Sequence, residues 1–238
     1  MITQISDKNE LIFPDNYYGN KLSSLLDAYG TGYDFCRFYK SNDCFIGILN
    51  SSMVYTGELI SDIEEFETFV GLNSPSEIEM PLISENAIEI SGYNKVPRVM
   101  FEFSDGDYPE NMDVDENPKL NKTFEIVKDS FGLEKCYDLW LTDTSHRIRH
   151  GVSQIYLWEK TTAACYFVKN KIAFFGQIAT ATSERGKGNA RKLLYWIYNK
   201  MKGEGIRATL FAQPHRTGFY KEIGFKEIYN DFLFVKEE

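Results

Sequence analysis

The sequence predicts an α+β protein in which each half is a mixed, mostly antiparallel sheet flanked by helices. Short apolar and aromatic runs bounded by turn residues predict the strands, and longer stretches with apolar residues at helical spacing predict the helices. Between the halves, residues 104–118 carry six carboxylates, two prolines and almost nothing apolar. Their spacing does not match an EF-hand calcium loop, so a solvated linker is favoured. We therefore expect domains at residues 1–104 and 119–238, joined by an acidic linker at residues 105–118.

The first half is predicted to run helix, strands, helix, strands. Leucines at helical spacing predict a helix over residues 14–29, which ends at a pair of glycines. Aromatic runs broken by turn residues predict a small antiparallel meander, and Ser61-Asp62 is expected to cap a helix that ends at Gly71. The predicted strands of this half are residues 35–39, 44–49, 53–55, 78–82, 87–90 and 99–103.

The second half is predicted to begin with a helix over residues 119–131, an extended stretch over residues 137–141 and a short helix over residues 144–150. Three apolar runs joined by tight turns then predict an antiparallel unit, and an amphipathic helix follows. The elements predicted from there on are strands at 154–159, 162–168 and 171–180, the helix at 189–201, a strand at 208–211, a helix at 217–223 and a hairpin that pairs 225–228 with 232–235 across Tyr229-Asn230-Asp231.

A glycine-rich turn lies between the last of these apolar runs and the amphipathic helix. It reads Arg185-Gly186-Lys187-Gly188-Asn189-Ala190. Glycine tolerates the dihedral angles that bring backbone N–H groups together, and it has no side chain to block a ligand. The first turn of the helix adds unpaired donors and a positive partial charge. The turn therefore predicts an anion site, and a pyrophosphate is the expected anion.

This turn fits neither the dinucleotide fingerprint, whose third glycine would stand at Arg191, nor the P-loop, whose Ser or Thr would stand at Gly188. It resembles the R/Q-x-x-G-x-G/A loop of the GNAT superfamily of acyl-CoA N-acetyltransferases. The later segment 219–225, Phe-Tyr-Lys-Glu-Ile-Gly-Phe, is similar to that superfamily's Y-x-x-x-G-F segment. The resemblance implies two GNAT-like domains in tandem, of which the second carries the motifs.

The resemblance also implies a cofactor and a set of site residues. The loop amides would hold the pyrophosphate of acetyl-CoA, the pantetheine would lie against the open edge of the strand before the loop, and Tyr220 would supply a proton or hydrogen bond to the leaving thiolate. The expected cofactor-binding residues are Ile178, Ala179, Thr180, Arg185, Gly186, Lys187, Gly188, Asn189 and Ala190. The expected reaction is direct attack of a primary amine, of a small molecule or a peptide, on acetyl-CoA.

The sequence says less about the residues that bind and deprotonate the acceptor amine. The amine must be neutral to attack, yet a lysine-like amine has a pKa near 10.4, so a base or a water chain is required. The candidates left open for the base are His146, His150, Glu159, Glu184 and His215. The family's helices before the central strands form the acceptor wall, which makes His146, Arg149 and His150 substrate candidates. The two histidines are one helical turn apart, but no third ligand is nearby and no metal is expected.

Charge is distributed unevenly along the chain. Residues 1–135 hold 25 Asp and Glu against 10 Lys and Arg, whereas residues 136–238 hold 10 against 16. A basic half suits a polyanionic cofactor, and an acidic half repels nucleic acid and attracts cations. We expect the first domain to bind no cofactor and to form the acceptor side of the cleft. A non-catalytic acyl-CoA sensor, and a transferase for another acyl or aminoacyl donor, remain alternatives.

The expected location is the cytoplasm. No apolar run is long enough to span a bilayer, and the first residues lack the basic and apolar regions of a signal peptide. Four scattered cysteines without a C-x-x-C pair suit reduced thiols. No membrane partner is expected, and the oligomeric state is left open.

Overall fold

The computed structural model describes residues 1–57, 62–81, 89–104 and 112–237. The chain divides into two compact units, of which Met1–Val99 with Tyr229–Glu238 is the first and Met100–Ile228 the second. The last residues are thus grouped with the first unit, whereas the sequence assigned them to the second domain. The domain limits themselves stay a prediction. Residues 87–88 of the expected strand at 87–90 and residues 105–111 of the acidic linker lie outside the described residues, and residues 89–90 are not in a strand.

The first unit contains an antiparallel meander followed by a helix, as the sequence predicted, and then a parallel strand. Its sheet has the order β1-β2-β3-β4-β5-β11, and β4 and β5 are parallel. The meander packs against α1 and α2, and α2 extends beyond the predicted stop at Gly71. The elements are β1 Thr3–Ile5, α1 Tyr17–Tyr29, β2 Cys36–Ser41, β3 Cys44–Leu49, β4 Ser52–Thr56, α2 Ile63–Asn73, β5 Glu77–Glu79, the start of β6 Tyr93–Phe103 and the end of β11 Phe225–Lys236.

The predicted C-terminal hairpin is wrong, because residues 225–236 form one continuous strand. Tyr229-Asn230-Asp231 was expected to be a turn, but these residues lie inside the single strand β11. Asp231 is 1% exposed and accepts hydrogen bonds from Arg98 and Tyr18. Because these partners satisfy the buried carboxylate, the strand continues through residues that usually end one.

The second unit repeats the same order of elements. A meander of β7, β8 and β9 is followed by a helix and by β10, which is parallel to β9. Its sheet has the order β6-β10-β9-β8-β7. The elements are α3 Leu120–Phe131, α4 Tyr137–Arg149, β7 Gln154–Trp158, β8 Thr161–Lys169, β9 Ile172–Thr180, α5 Asn189–Gly203, β10 Arg207–Ala212, α6 Thr217–Glu222, the end of β6 and the start of β11. The predicted α+β class, with mostly antiparallel sheets flanked by helices, is confirmed.

One helix of the second unit was predicted incorrectly. Residues 137–141 were expected to be extended, but they form the first turns of α4. Trp140 is buried there, and it packs with Leu141 and Ile148 into the core between α3, α4 and the sheet. This helical spacing, together with a stop at Gly151, explains one continuous helix.

The described end of the predicted linker pairs with the second unit. The backbone of Asp115 exchanges two hydrogen bonds of 2.9 Å with Leu157 in β7. The carboxylate of Glu116 binds Lys200, and it accepts a hydrogen bond from Gln154 at 3.0 Å. None of the helices within the described ranges has the length and apolar content needed to cross a bilayer.

Candidate active site

The glycine-rich turn opens onto free space directly before α5. Gly186 and Gly188 have φ values of 78° and 77°, in the left-handed region, and a Cβ on either would meet no atom within 4 Å. Gly188 is the N-cap of α5, so no capping side chain accepts a hydrogen bond from the first turn. The turn therefore presents backbone N–H groups and the positive end of a helix dipole to solvent, as an anion site requires.

Side chains of the predicted site hold this turn in place. Arg185 donates from Nε to the carbonyl of Thr180 at 3.1 Å and from Nη2 to Ser130 Oγ at 3.1 Å. Asn189 is buried and donates to the carbonyl of Glu159 at 3.3 Å. These two residues thus fix the turn between β9, α3 and the β7–β8 connection. Lys187 stays largely exposed on the turn.

Strand β9 stops pairing with β10 after Phe175, within the stretch that leads to the turn. The parallel register runs from Arg207 opposite Ile172 to Leu210 opposite Phe175. Residues 178–180 lie beyond this register, and β8 pairs with Ala179 and Thr180 on the other side. Ile178, Ala179 and Thr180 therefore lie at the edge of β9 that faces β10, where the resemblance implied that the pantetheine would lie.

Tyr220 lies on α6 with its ring in an aromatic cluster. The ring packs 5.7 Å from that of Phe101 in β6 and 5.5 Å from that of Phe225 in β11, centroid to centroid. Burial raises the pKa of Tyr220 to about 12, so the hydroxyl stays protonated at neutral pH. Within the described part of the chain this hydroxyl has no hydrogen-bond partner, which leaves it able to donate to a ligand.

The three substrate candidates lie on the last turn of α4 and its cap. The rings of His146 and His150 stack with centroids 4.1 Å apart, and Arg149 is exposed. Arg149 lines an open groove of about 630 Å³ together with Lys200, Glu204 and Ile206, at the C-terminal end of α5. The glycine-rich turn is at the other end of α5, about 22 Å away at 1.5 Å per residue. The structure therefore does not bring Arg149 to the turn.

The other candidates for the base are scattered. Glu184 accepts a hydrogen bond from Lys187 at 2.8 Å, and this bond lowers the pKa of Glu184, which makes it a weaker base. Glu159 lies in the tight β7–β8 turn with φ 44°, and His215 is exposed in a short 3₁₀ turn. Among the described residues, no group of three or more metal-ligating side chains is found.

Sequence reasoning missed a bulge in β9. Gln177 has φ 45°, and Trp140 of α4 donates from Nε1 to its side-chain oxygen at 3.0 Å. A glycine inside a strand pattern is a recognised signal for a bulge, and Gly176 directly precedes this position.

Part of the chain matches a known protein family. Residues 121–225 match the family model described as Acetyltransferase (GNAT) family, whereas no curated protein matches the chain. The fold resembles that of a GNAT acetyltransferase from Colwellia psychrerythraea, with TM-score 0.56, 14% identity and 100% of both chains covered.

Two further solved structures have the same fold. A GCN5-related N-acetyltransferase from Kribbella flavida has TM-score 0.61 and 11% identity over 93% of this chain and 94% of its own. A GCN5-related N-acetyltransferase from Sphaerobacter thermophilus has TM-score 0.60 and 15% identity over 99% of this chain and 95% of its own. The family implies acyl transfer from an acyl-CoA. Residues 121–225 thus match the GNAT acetyltransferase family, and the chain has the fold of solved GNAT proteins.

Proposed function

We propose that the protein is an N-acetyltransferase that moves the acetyl group of acetyl-CoA to a primary amine by direct attack on the thioester. The observation that carries this proposal is the start of α5, where left-handed glycines leave the helix amides open to solvent. The pyrophosphate of coenzyme A matches such a site in charge and in its many hydrogen-bond acceptors. Lys187, which is largely exposed and pairs with Glu184 at 2.8 Å, carries a positive charge beside it.

The strand before the turn supplies the second part of the proposed site. The pantetheine carries amide groups, and the backbone of residues 178–180 can pair with them once β10 has diverged. The thioester would then lie toward the inner end of this opening. Its carbonyl carbon is attacked by the amine lone pair, the C–S bond breaks, and the coenzyme A thiolate leaves.

Tyr220 has a defined role in this step. A thiol has an ordinary pKa of about 8.5, so a tyrosine with a pKa of about 12 is the weaker acid. Tyr220 therefore stabilises the leaving thiolate by donating a hydrogen bond, while the proton lost by the amine passes to a base or to water. Because its hydroxyl has no other partner within the described residues, this hydrogen bond replaces none.

We also propose that the two units are tandem GNAT-like copies of which only the second binds cofactor. Both show a meander, a helix and a parallel strand in the same order. In the first unit the helix begins with its own acids, since Asp62 caps α2 and Glu64 and Glu65 occupy its first turn. These carboxylates repel a pyrophosphate and raise the local concentration of a cationic amine.

The proposed location is a reducing compartment such as the cytoplasm. None of the four cysteines forms a disulfide, and Cys36 and Cys165 are buried. Free thiols of this kind persist where the glutathione and thioredoxin systems keep them reduced.

A turnover assay tests the proposed function. Acetyl-CoA is incubated with separate amines, polyamines, amino acids and aminoglycosides, and free thiol is measured alongside the mass of each acceptor. We expect thiol release that depends on one class of amine and yields its acetylated product. Thiol release without acetylated product would show only hydrolysis. Coenzyme A binding without turnover on any amine would favour an acyl-CoA sensor. Turnover only with another acyl-CoA would show that acetyl-CoA is not the donor.

A further inference from the structure

A bulge interrupts β9 beside the edge on which the proposed acyl donor would lie. Thr162 pairs with Ala179 and Ala164 pairs with Gly176, so β9 places two residues, Gln177 and Ile178, opposite one residue of β8. A bulge of this kind bends its strand and re-aims the residues that follow. It lies between Phe175, the last residue that pairs with β10, and Ala179, where pairing with β8 resumes.

The bulge requires a backbone conformation that its sequence does not favour. Gln177 has φ 45°, where a side chain other than glycine is strained. Such a conformation persists only when the surrounding structure holds it. The question is therefore which contacts hold Gln177 in the left-handed region.

Two aromatic residues supply these contacts. Trp140, which is 7% exposed, donates its Nε1 hydrogen to Oε1 of Gln177 at 3.0 Å. Tyr166 lies over Gly176, where a Cβ would be only 2.3 Å from the ring. Trp140 and Tyr166 belong to the same hydrophobic cluster as Ala164 and Ala179, which flank the bulge.

We propose that Trp140 is a positioning residue that holds Gln177 in its left-handed conformation and thereby aims the backbone of residues 178–180 at the acyl donor. This inference rests on the proposed function, because it concerns the same site. Trp140 acts only through Gln177. Without its hydrogen bond the bulged conformer is less populated, and the apparent affinity for coenzyme A falls by the same fraction.

Calorimetric titration with coenzyme A tests this on the full chain. Trp140→Phe keeps an aromatic ring and removes the donor, and Gln177→Leu removes the acceptor at similar volume. We expect each to weaken binding about tenfold, as the loss of one hydrogen bond allows. The double variant should be no weaker than either single one, because both break the same contact. The matched control is Trp196→Phe on α5, which should bind like the wild type.

A third variant separates positioning from plain stability. Glycine adopts φ 45° without strain, so Gln177→Gly should bind coenzyme A several-fold more tightly than Gln177→Leu although both lack the amide. A merely structural hydrogen bond predicts the reverse, since glycine also leaves a gap in the packing. If Trp140→Phe does not fold, the comparison of Gln177→Gly with Gln177→Leu still tests whether the bulge conformation controls coenzyme A binding.

The outcomes are distinct. Unchanged affinity in Trp140→Phe and Gln177→Leu, or equal losses in Gln177→Leu and Gln177→Gly, overturns the positioning role while the proposed function stands. A wild-type protein that does not bind coenzyme A at all overturns the proposed function, and the inference with it.

Discussion

The helix that follows the meander begins in opposite ways in the two units. In the second unit, α5 starts after Gly188, which offers no side chain to its first turn. In the first unit, α2 starts after Asp62, whose carboxylate accepts the amide of Glu65 at 2.9 Å. The same position in the same order of elements is thus open to an external anion in one unit and occupied by an internal one in the other.

The strands that lead to these helices differ as well. Strands β3 and β4 pair in unbroken register, from Phe45 opposite Thr56 to Leu49 opposite Ser52. Strands β8 and β9 instead carry two register shifts. Irregular and strained backbone therefore occurs beside the candidate site and not in the corresponding strands of the first unit, as expected where strain serves a function.

Tyrosine hydroxyls follow the same division. In the first unit, Tyr17 and Tyr18 donate to the buried carboxylates Glu79 and Asp231. In the second unit, Tyr220 has no such partner among the described residues. In this comparison the first unit pairs these two hydroxyls with its own carboxylates, whereas the second leaves a helix start and a hydroxyl available to a ligand.

The largest effect is expected from closing the open helix start. Gly188→Glu places a side chain and a negative charge where the pyrophosphate would lie, so coenzyme A binding should be lost. The matched control is Gly205→Glu at the far end of α5, which has φ 70° and equally free space around its Cβ position. Calorimetry on both folded variants measures the difference. Equal affinities of the two variants for coenzyme A would show that the turn does not bind the pyrophosphate.

Acid should destabilise the first unit through Glu79. Burial alone would raise the pKa of Glu79, but Lys21 and Arg98 outweigh it and lower the pKa from 4.5 to about 2. A carboxyl whose pKa is lower in the folded than in the unfolded protein stabilises the fold at every pH above its unfolded pKa. For Glu79 this stabilisation is lost as the pH falls from about 4.5 to 2. The loss should be on the order of 3 kcal/mol.

Hydrogen exchange of the β5 and β6 amides, measured across this pH range, reports on the first unit. Glu79→Gln should be less stable at neutral pH, because it leaves Arg98 and Lys21 without a charged partner on this residue. Its stability should also change less between pH 4.5 and 2. An identical pH dependence in the variant would show that other carboxyls cause the acid effect.

Removing the Tyr220 hydroxyl should slow turnover without weakening cofactor binding. Tyr220→Phe keeps the ring against Phe101 and Phe225, so kcat should fall about 100-fold while the Kd for coenzyme A changes little. Tyr195→Phe on α5 is the control, because that ring also packs on an aromatic residue of β6. A kcat equal to that of the wild type would leave Tyr220 with a packing role alone.

The smallest effect is expected from opening the closed helix start. Asp62→Ala removes the cap of α2 and should cost about 1 kcal/mol of stability in urea unfolding. Glu64→Ala, which removes a charge but no cap, should cost only a few tenths of a kcal/mol. Coenzyme A binding should be unchanged in both, and a loss of affinity in Asp62→Ala would contradict the separation of roles.

Local patterns in the sequence predicted most of the fold. The meander of β7, β8 and β9 and the amphipathic helix α5 follow from periodicity and turn residues, which are properties of neighbouring positions. The glycine-rich turn was predictable for the same reason, since the left-handed glycines and the helix start lie within a few residues of one another.

The features that were missed depend on distant partners. Strand β11 runs through three turn-forming residues because Asp231 binds Arg98, 133 positions earlier in the chain. Residues 137–141 are helical because Trp140 packs into a core that α3 and the sheet complete. The bulge at Gln177 depends on that same tryptophan, 37 positions away. Secondary-structure propensities depend on neighbouring residues and therefore cannot predict contacts between residues so far apart in the sequence.

The stoichiometry of coenzyme A binding tests the comparison most directly. Titration of the full chain with coenzyme A in a calorimeter should give one site per chain, because α5 begins open and α2 begins with its own carboxylates. Gly188→Glu should abolish that site and reveal no second one. Two sites per chain, or one site that survives Gly188→Glu, would contradict the account.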